Sequence, residues 1–352
     1  MLAPGLWGYN LDAMQVAVML GDKRGGLAEV PDPVPGNGFA LVKVLVVPTC
    51  TEYKMFAAGQ PGTSLGHEAA GEIVTPAGPG LLREGQRVVA MPLYGCGRCA
   101  LCASGDYIHC HESFDHDQHT VEPGGSATYA QYLLRPDRLL LPVPDDVSTE
   151  HASMACCGLG PTFGAMQRMR VDALDTVLIS GMGPVGLGGV INGVARHARV
   201  IAVEPTPWRA RLARELGAAE VLDGRDAAAA VARVRELTGG RGADRAIDCS
   251  GNPAAQRLLV DAVRRRGEMA FVGEAGEFTL HVSNDLLRKG LTLHGQWHYN
   301  LGDGPRIMDV IRRSRPLLDR FITHRFPMSR AEDAWKLQVT GECGKVLLDP
   351  WA

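Results

Sequence analysis

The sequence predicts an α/β protein in two bodies, a β-rich half followed by a doubly wound parallel sheet. Three observations carry that prediction. The chain has 352 residues, too many for one ordinary core and suited to two domains of about 150–200 residues each. Up to about residue 155, short apolar runs such as LVKVLVV at 41–47, GEIV at 71–74 and RVVAM at 87–91 are separated by Gly and Pro, the pattern of strands joined by loops. From about residue 172 the rhythm becomes strand and helix in alternation, which specifies a parallel sheet covered on both faces.

The strands of the second half read, in order, as TVLIS, RVIAV, EVL, DRAIDCS, EMAFVG and LTLHG, with helix-like segments between them. Residues 177–195 carry no charge and are long enough to cross a bilayer. They open on β-branched and aliphatic residues, however, and then meet repeated glycines, Pro184 and Asn192, so they read as a buried strand, a tight turn and a helix. The alanine run at 227–230 reads as an exposed helix face. Beyond residue 300, amphipathic pieces near 305–313 and 330–338 precede a last strand, KVLLD, and are expected to return to the first body. The expected domains are 1–155, 156–298 and 299–352.

Composition narrows the function. A net charge of −3 with acids and bases interspersed offers no electrostatic footprint for nucleic acid. The N-terminal stretch lacks a basic region followed by an apolar one, so no secretory signal is visible and a cytoplasmic location is expected, with no membrane partner. Nine cysteines, an odd number and scattered outside one loop, argue against a disulfide framework and for a reducing compartment.

That one loop holds Cys96, Cys99, Cys102 and Cys110 with spacing C-x2-C-x2-C-x7-C, tight enough for four sulfurs to meet at a single ion. Four thiolates satisfy tetrahedral Zn2+ and leave no open position, so this site reads as structural. A disulfide pair or a 4Fe–4S cluster is the alternative, but Gly97 and Gly105 in a turn-rich, partly charged loop suit zinc better.

Directly after TVLIS comes Gly181-Met182-Gly183-Pro184-Val185-Gly186, a G-x-G-x-x-G closing a strand and opening a helix. Glycines there permit the sharp turn and let backbone N–H groups approach a pyrophosphate at the positive end of the helix. Glu204, at the end of the next strand, completes the dinucleotide fingerprint. Its carboxylate is expected to accept from the adenosine ribose hydroxyls and to repel a 2′-phosphate, which favours NAD over NADP. Arg209 and Arg211 follow; either could lie near a phosphate, and Arg211 suits a solvated helix face.

A second constellation is dispersed. Gly66-His67-Glu68 precedes the strand GEIV, Cys156-Cys157 sits where the β-rich half gives way to the second, and Cys50 follows a strand. One His, one or two thiolates and a carboxylate converging at a domain cleft form the ligand set of an open zinc site, with a position left for water or substrate.

With these residues in view, the chain resembles the zinc-dependent medium-chain dehydrogenase family of alcohol, sorbitol and threonine dehydrogenases over nearly its whole length. The resemblance is carried by GHEAAG at 66–71, the four-cysteine loop, CGLGPTFGAM at 157–166, GMGPVG at 181–186, VEPTPWRARLARELGA at 203–218 and DCSG at 248–251. It implies a GroES-like catalytic domain with a Rossmann coenzyme domain. It also implies a catalytic zinc on His67 and Cys157 with Glu68 as ligand or adjacent carboxylate, and a structural zinc on the four-cysteine loop. Gly181, Gly183, Gly186, Glu204 and Arg209 would fall at coenzyme positions, with Val272 and the stretch after Gly295 flanking the nicotinamide. The implied reaction takes an alcohol to a ketone, reversibly, and the relatives' habit of pairing along the edge strand LTLHG implies a homodimer or homotetramer.

The chain departs from the family at its first ligand. The family shows Cys-x-Ser/Thr-Asp, whereas this chain reads Thr49-Cys50-Thr51-Glu52. Either Thr49 occupies the ligand position, with Thr51 and Glu52 matching the pair that follows, or Cys50 does. A thiolate binds zinc far better than a threonine hydroxyl, so the expected ligand is Cys50 on a locally shifted backbone, with Thr51 as the hydroxyl that relays a proton and Glu52 as reserve ligand. The polar loop around His109, His111, His116 and His119 suits either solvent alone or a hydroxyl-rich substrate. GQWHYN at 295–300, with Gln296, Trp297 and His298, resembles the polyol and sugar members, which implies a polyol, sugar or cyclitol substrate, with an amino alcohol of the threonine type as the alternative. A zinc-stabilised NAD-binding sensor without turnover is the reading from another class.

Overall fold

The computed structural model describes residues 13–36, 38–80, 82–112 and 127–352. The first body is built from short strands: β1 (Ala13–Gly21), β2 (Arg24–Pro31), β3 (Phe39–Pro48), then helix α1 (Glu52–Ala57), β4 (Pro61–Gly62), β5 (Ala69–Thr75), β6 (Arg87–Ala90), α2 (Ala100–Ala103), β7 (Tyr132–Pro136), β8 (Leu140–Pro142) and α3 (Thr149–Ser153). β1 pairs antiparallel with β2 and β4, and β3 carries β5 on one side, continuing through β6 to β8. Strand β3 is buried along nearly its whole length, as a central strand covered on both faces must be. Its C-terminal end therefore delivers residues 49–52 to a fixed place.

The second body runs α4 (Gly160–Arg168), β9 (Thr176–Ser180), α5 (Pro184–Ala195), β10 (Arg199–Val203), α6 (Pro207–Glu215), β11 (Glu220–Leu222), α7 (Ala227–Leu237), β12 (Ala243–Asp248), α8 (Pro253–Ala262), β13 (Val263–Phe271), a π-helical turn over Val282–Arg288, and β14 (Thr292–Gly295). These six strands form one parallel sheet in the order β11-β10-β9-β12-β13-β14. The order reverses direction at β9, and the crevice outside the carboxyl ends of β9 and β10 is where such a sheet takes its ligand. The uncharged stretch 177–195 is β9, a turn and α5, and the alanine run forms the first turn of α7, with Ala227, Ala228 and Ala229 exposed and Ala230 buried. Among the described residues no helix is long and apolar enough to cross a membrane.

After residue 300 come α9 (Gly304–Arg313), α10 (Arg315–Phe321), β15 (Ile322–Pro327), α11 (Ala331–Thr340) and β16 (Lys345–Asp349). β16 pairs antiparallel with β3, Leu347 opposite Pro48 and Leu348 opposite Val47, so the chain's end extends the first body's sheet. A single apolar cluster runs from Val46, Val89 and Met91 through Met154, Leu159 and Phe163 to Val177, Ile179 and Leu187. This cluster welds the two bodies and sets the width of the crevice between them.

Candidate active site and metal centres

Among the described residues, two groups of metal-binding side chains converge, each with ligand atoms all within 4.8 Å of one another: Cys50, His67, Glu68 and Cys157, and Cys96, Cys99, Cys102 and Cys110. The first is assembled from three places. Cys50 follows β3, His67 and Glu68 lead into β5, and Cys157 lies between α3 and α4. The turn before His67 demands glycine: Gly66 has φ of +88°, and a Cβ there would lie 2.3 Å from the Tyr129 ring, closer than any real contact.

Residues 49–52 separate cleanly. Thr49 is fully buried and points away from the cluster; its N–H and Oγ1–H both donate to the Val346 carbonyl of β16, at 2.9 and 3.2 Å. Cys50 turns its sulfur into the cluster. Thr51 is exposed and stands at the N-terminus of α1 with no capping hydrogen bond from its side chain. Glu52, expected as reserve ligand, is instead outside the cluster. His67 Nδ1–H donates to Glu52 Oε1 at 2.9 Å, while Glu52 Oε2 accepts from Cys50 N–H at 3.0 Å and Tyr129 O–H at 3.2 Å. A carboxylate on one ring nitrogen fixes the tautomer and leaves Nε2 for the metal. Cys156 is also outside, fully buried with its Sγ against the Ala90 carbonyl.

Glu68 is completely buried, and Lys345 of β16 is buried with it: Lys345 Nζ donates to Glu68 Oε1 at 2.7 Å, and Cys157 N–H donates to Oε2 at 3.1 Å. Burial alone would strip Lys345 of its charge, but Glu68 and Cys50 more than reverse this and hold it above its ordinary range. Sequence reading overlooked Lys345; the only available signal was a lysine heading an otherwise apolar strand, GKVLLD. The electrostatics of the group favour a cation. The Cys157 thiol hydrogen bond, opposed by burial and aided by Lys345 and His67, holds Cys50 well below the usual thiol range. Burial pulls His67 down, yet its bonds to Cys50 and Glu52 push it up to about 11. A thiolate, an oriented imidazole and a second thiol within reach are the donor set that a divalent zinc ion satisfies.

The four-cysteine group is likewise suited to zinc. Backbone N–H groups aim at its sulfurs, Cys96 N–H to Cys110 Sγ at 3.2 Å, Cys99 N–H to Cys96 Sγ at 3.3 Å and Glu112 N–H to Cys110 Sγ at 3.3 Å, which disperses thiolate charge. Backbone donors from Cys102 and His111 draw Cys99 down to about 6, whereas burial pushes Cys102 up to about 12. Full deprotonation of the set thus calls for a cation, since metal ligands must shed their protons.

The Gly-rich turn sits across the crevice. Gly181, Gly183, Pro184 and Val185 line a cavity of about 650 Å3 together with Glu204, Arg209, Cys249, Ser250, Cys50 and Thr51. Gly183 precedes α5, with Pro184 at the helix's first turn, and a Cβ on Gly183 would meet nothing within 4 Å: the space a side chain would fill is open for a pyrophosphate. Gly186 is packed behind, against the Gly181 carbonyl. Glu204 is buried, its oxygens accepting from Met182 N–H at 2.7 Å and Thr206 N–H at 2.8 Å, so the acid braces the turn. Each oxygen keeps a further lone pair for a ribose hydroxyl. Arg209 has a buried Nε without a partner, while Arg211 faces outward toward Glu215. Val272 follows β13, its N–H donating to the Asp248 carbonyl. Asp248, the first residue of DCSG, gathers Ser180, Ser250 and Gln256 around the neighbouring loop, a bracing role that the sequence did not show.

Near the expected nicotinamide end, His298 is buried and both its ring nitrogens lack partners. Burial, with the nearby charge of His67, pushes it down to about 3, so it is neutral. Trp297 is half-exposed, and Gln296 shares a polar cavity of about 620 Å3 with His109. His111 is exposed. His116 and His119 lie outside the described residues.

Comparison with known proteins agrees with this construction. Residues 36–145 match the alcohol dehydrogenase GroES-like domain, and residues 184–313 match the zinc-binding dehydrogenase family. The chain is 31% identical to the uncharacterized zinc-type alcohol dehydrogenase-like protein YphC of Escherichia coli, over 96% of this chain and 99% of that one. It is 28% identical to the sorbitol dehydrogenase of Bacillus subtilis, over 96% and 97%. Alcohol dehydrogenase TADH from Thermus sp. ATN1 superimposes with a TM-score of 0.85 at 25% identity, covering 96% of this chain and 99% of that one. Two domain matches spanning most of the chain, on a fold with two thiol-rich clusters and a glycine-rich turn, lead to one statement: this protein belongs to the zinc-dependent medium-chain dehydrogenase family, oxidoreductases acting on alcohols.

Proposed function

We propose that this protein oxidises a secondary alcohol of a polyol, sugar or cyclitol to the ketone, reversibly, with a catalytic zinc, a structural zinc and NAD. The observation that carries the reading is a shared wall: Cys50 and Thr51 line the same cavity as Gly181, Gly183 and Glu204, so a substrate beside Cys50 and a dinucleotide on the glycine turn would meet. When bound, zinc supplies a Lewis acid that raises a hydroxyl's acidity, and the nicotinamide supplies the hydride acceptor.

The chain's own groups do the rest. Cys50, His67 and Cys157 bind the metal, and Glu52 orients His67. Lys345 and the Cys157 N–H engage both oxygens of Glu68 and fix it beside the metal ligands, while burial, against the pull of Lys345, raises its carboxyl to about 8. Thr51 has an exposed hydroxyl on the cavity wall, suited to hold the departing proton and pass it to water. The Glu204 carboxylate favours ribose hydroxyls over a 2′-phosphate, hence NAD. Neutral His298 can donate from one ring nitrogen and accept at the other, which matches a hydroxyl beside the reacting carbon and favours polyhydroxyl substrates over simple alcohols. The open outer edge of β14 supports pairing of two copies along the sheet.

The test is a substrate panel of polyols, cyclitols, simple secondary alcohols and an amino alcohol with NAD or NADP, followed by NADH or NADPH absorbance. Turnover of polyhydroxyl substrates with NAD, and a His298→Ala variant that raises KM for these at least tenfold while sparing simple alcohols, supports the reading. A preference for the amino alcohol supports the threonine-type alternative, and zinc and NAD binding with no turnover of any panel member supports the sensor.

A further inference from the structure

At the opposite end of the coenzyme domain's sheet from the Gly-rich turn lies a second cavity, of about 550 Å3, lined by Arg235, Arg241, Arg264, Arg265, Arg288 and Lys289 with Asp261 as its one carboxylate. It opens beside the amino ends of β12, β13 and β14, whereas the dinucleotide cavity lies beyond the carboxyl ends. The regular strand β12 separates the two by its six residues, or roughly 20 Å.

The charges do not cancel locally. Asp261 is already held by Arg257, at 2.5 and 3.1 Å, and Arg264 is committed to Asp244 at 2.6 Å. Arg235 and Lys289 turn toward the Val260 and Asp261 carbonyls at the end of α8, as cations at a helix C-terminus do. This leaves Arg241, Arg265 and Arg288, all exposed, with no ion-pair partner among the described residues; Arg241 donates only to the Thr238 carbonyl and Arg288 only to Asn284. Three guanidinium groups, each with five N–H donors in a planar fork, surround one recess.

The backbone is shaped around them. Between β12 and β13 the register jumps, Ala243 pairing with Val263 but Arg245 with Glu268, so extra residues of β13 bulge out. Such a bulge re-aims side chains. Here it carries Arg264, Arg265 and Arg266, with Arg266 at φ of +59°, an uncommon conformation for a residue with a Cβ. Arg266 N–H donates to the Lys289 carbonyl at 2.9 Å, tying the bulge to the strand-end cations.

We propose that this recess binds a small, multiply charged phosphate-bearing anion, with Arg241, Arg265 and Arg288 as its direct contacts. Guanidinium forks match phosphate oxygens in pairs, and with Asp244 already bonded to Arg264 and Asp261 to Arg257, the positive charge in excess here is relieved by an anion. The recess has the volume of a small-molecule pocket, and the chain's overall charge of −3 disfavours an extended nucleic-acid or membrane surface. The site is separate from the coenzyme cavity and stands whether or not the substrate reading above holds.

The test uses the full-length, zinc-loaded protein and isothermal titration with sodium tripolyphosphate at an ionic strength held constant with NaCl, with and without saturating NADH. Saturable binding at one per chain, unchanged by NADH and weakened at least tenfold in both Arg265→Ala/Arg288→Ala and Arg241→Ala, is expected. Because these side chains are exposed, the variants should keep the parent's unfolding temperature without ligand. Repeating the titration with ATP identifies the source: equal affinity means recognition of phosphate alone, and tighter binding means that a nucleoside adds contacts. Absence of saturable binding, displacement by NADH, or undiminished affinity in the variants overturns the proposal.

Discussion

Lys345 Nζ lies 2.7 Å from Glu68 Oε1, and neither side chain has any exposed surface. The contact joins the chain's last strand to the segment that carries His67, so the C-terminus completes the metal site. Removing Glu68 leaves a buried ammonium uncompensated, at a cost of about 3–5 kcal/mol, whereas Glu68, already raised to about 8 by burial, can take up a proton when Lys345 is removed. Glu68→Gln is therefore expected to lose that much stability in urea unfolding, Lys345→Met less, and Lys345→Met/Glu68→Gln less than the sum of the two single changes. Equal, additive losses would show that the pair is not coupled.

The division of labour among residues 49–52 gives a second expectation. Cys50→Ala should lose cleft zinc and activity together, whereas Thr49→Ala should lose about 0.5–1.5 kcal/mol for one hydrogen bond with its metal content intact. Glu52→Gln keeps the shape but weakens the brace on His67, and outer partners of this kind change metal affinity by roughly 10–100-fold. Chelator competition read by metal analysis ranks all three. Zinc loss in Thr49→Ala with retention in Cys50→Ala would reverse the assignment.

Helix α5 is locked to the loop bearing Cys157. A Cβ on Gly188 would stand 1.8 Å from the Gly158 carbonyl oxygen, so Gly188→Ala must push the helix off the loop. Overpacking of this sort costs about 1–3 kcal/mol. The expected variant is less stable and weaker in both NADH binding, by fluorescence titration, and zinc retention. Loss of neither would mean that the helix can move freely past the loop.

Acid sensitivity has a local source in Asp285. The hydrogen bond from Arg257 outweighs burial and holds this carboxyl at about 2, below its ordinary 3.8. A carboxyl depressed in the folded state contributes stability above its unfolded pKa and loses it as pH falls through the folded one. The difference in stability between the parent protein and Asp285→Asn should thus be constant above about pH 5 and shrink between about pH 4 and 2. A difference that stays flat across that interval would contradict the assignment.

Much of this could be read before any coordinates. The six-strand alternation, the Gly181–Gly186 turn and Glu204 are local patterns, and local patterns survive in sequence. The four-cysteine loop is legible for the same reason: its ligands lie within fifteen residues. The first metal ligand was ambiguous because Thr49, Cys50 and Glu52 differ by single steps along the chain, and only the pairing of Thr49 with Val346 of β16 shows which way each side chain turns. Lys345 left almost no trace, and Asp248 and His298, though they stand in DCSG and GQWHYN, gave no sign of their burial or of the partners they have or lack, since burial is a property of the neighbours rather than of the residue. Strands β2 and β15 were not singled out either, because polar residues and glycines break their short apolar runs, and the apolar run VAVML of β1 was passed over.

The claim on which the chemistry depends is a metal ion held in the crevice by Cys50, His67 and Cys157. Diffraction from zinc-replete crystals at energies just above and below the zinc absorption edge tests it directly. Two anomalous peaks per chain are expected, one among Cys96, Cys99, Cys102 and Cys110 and one beside Cys50, and the second should vanish in Cys50→Ala. A single peak in the four-cysteine loop, with no anomalous signal in the crevice of the parent protein, would contradict the account.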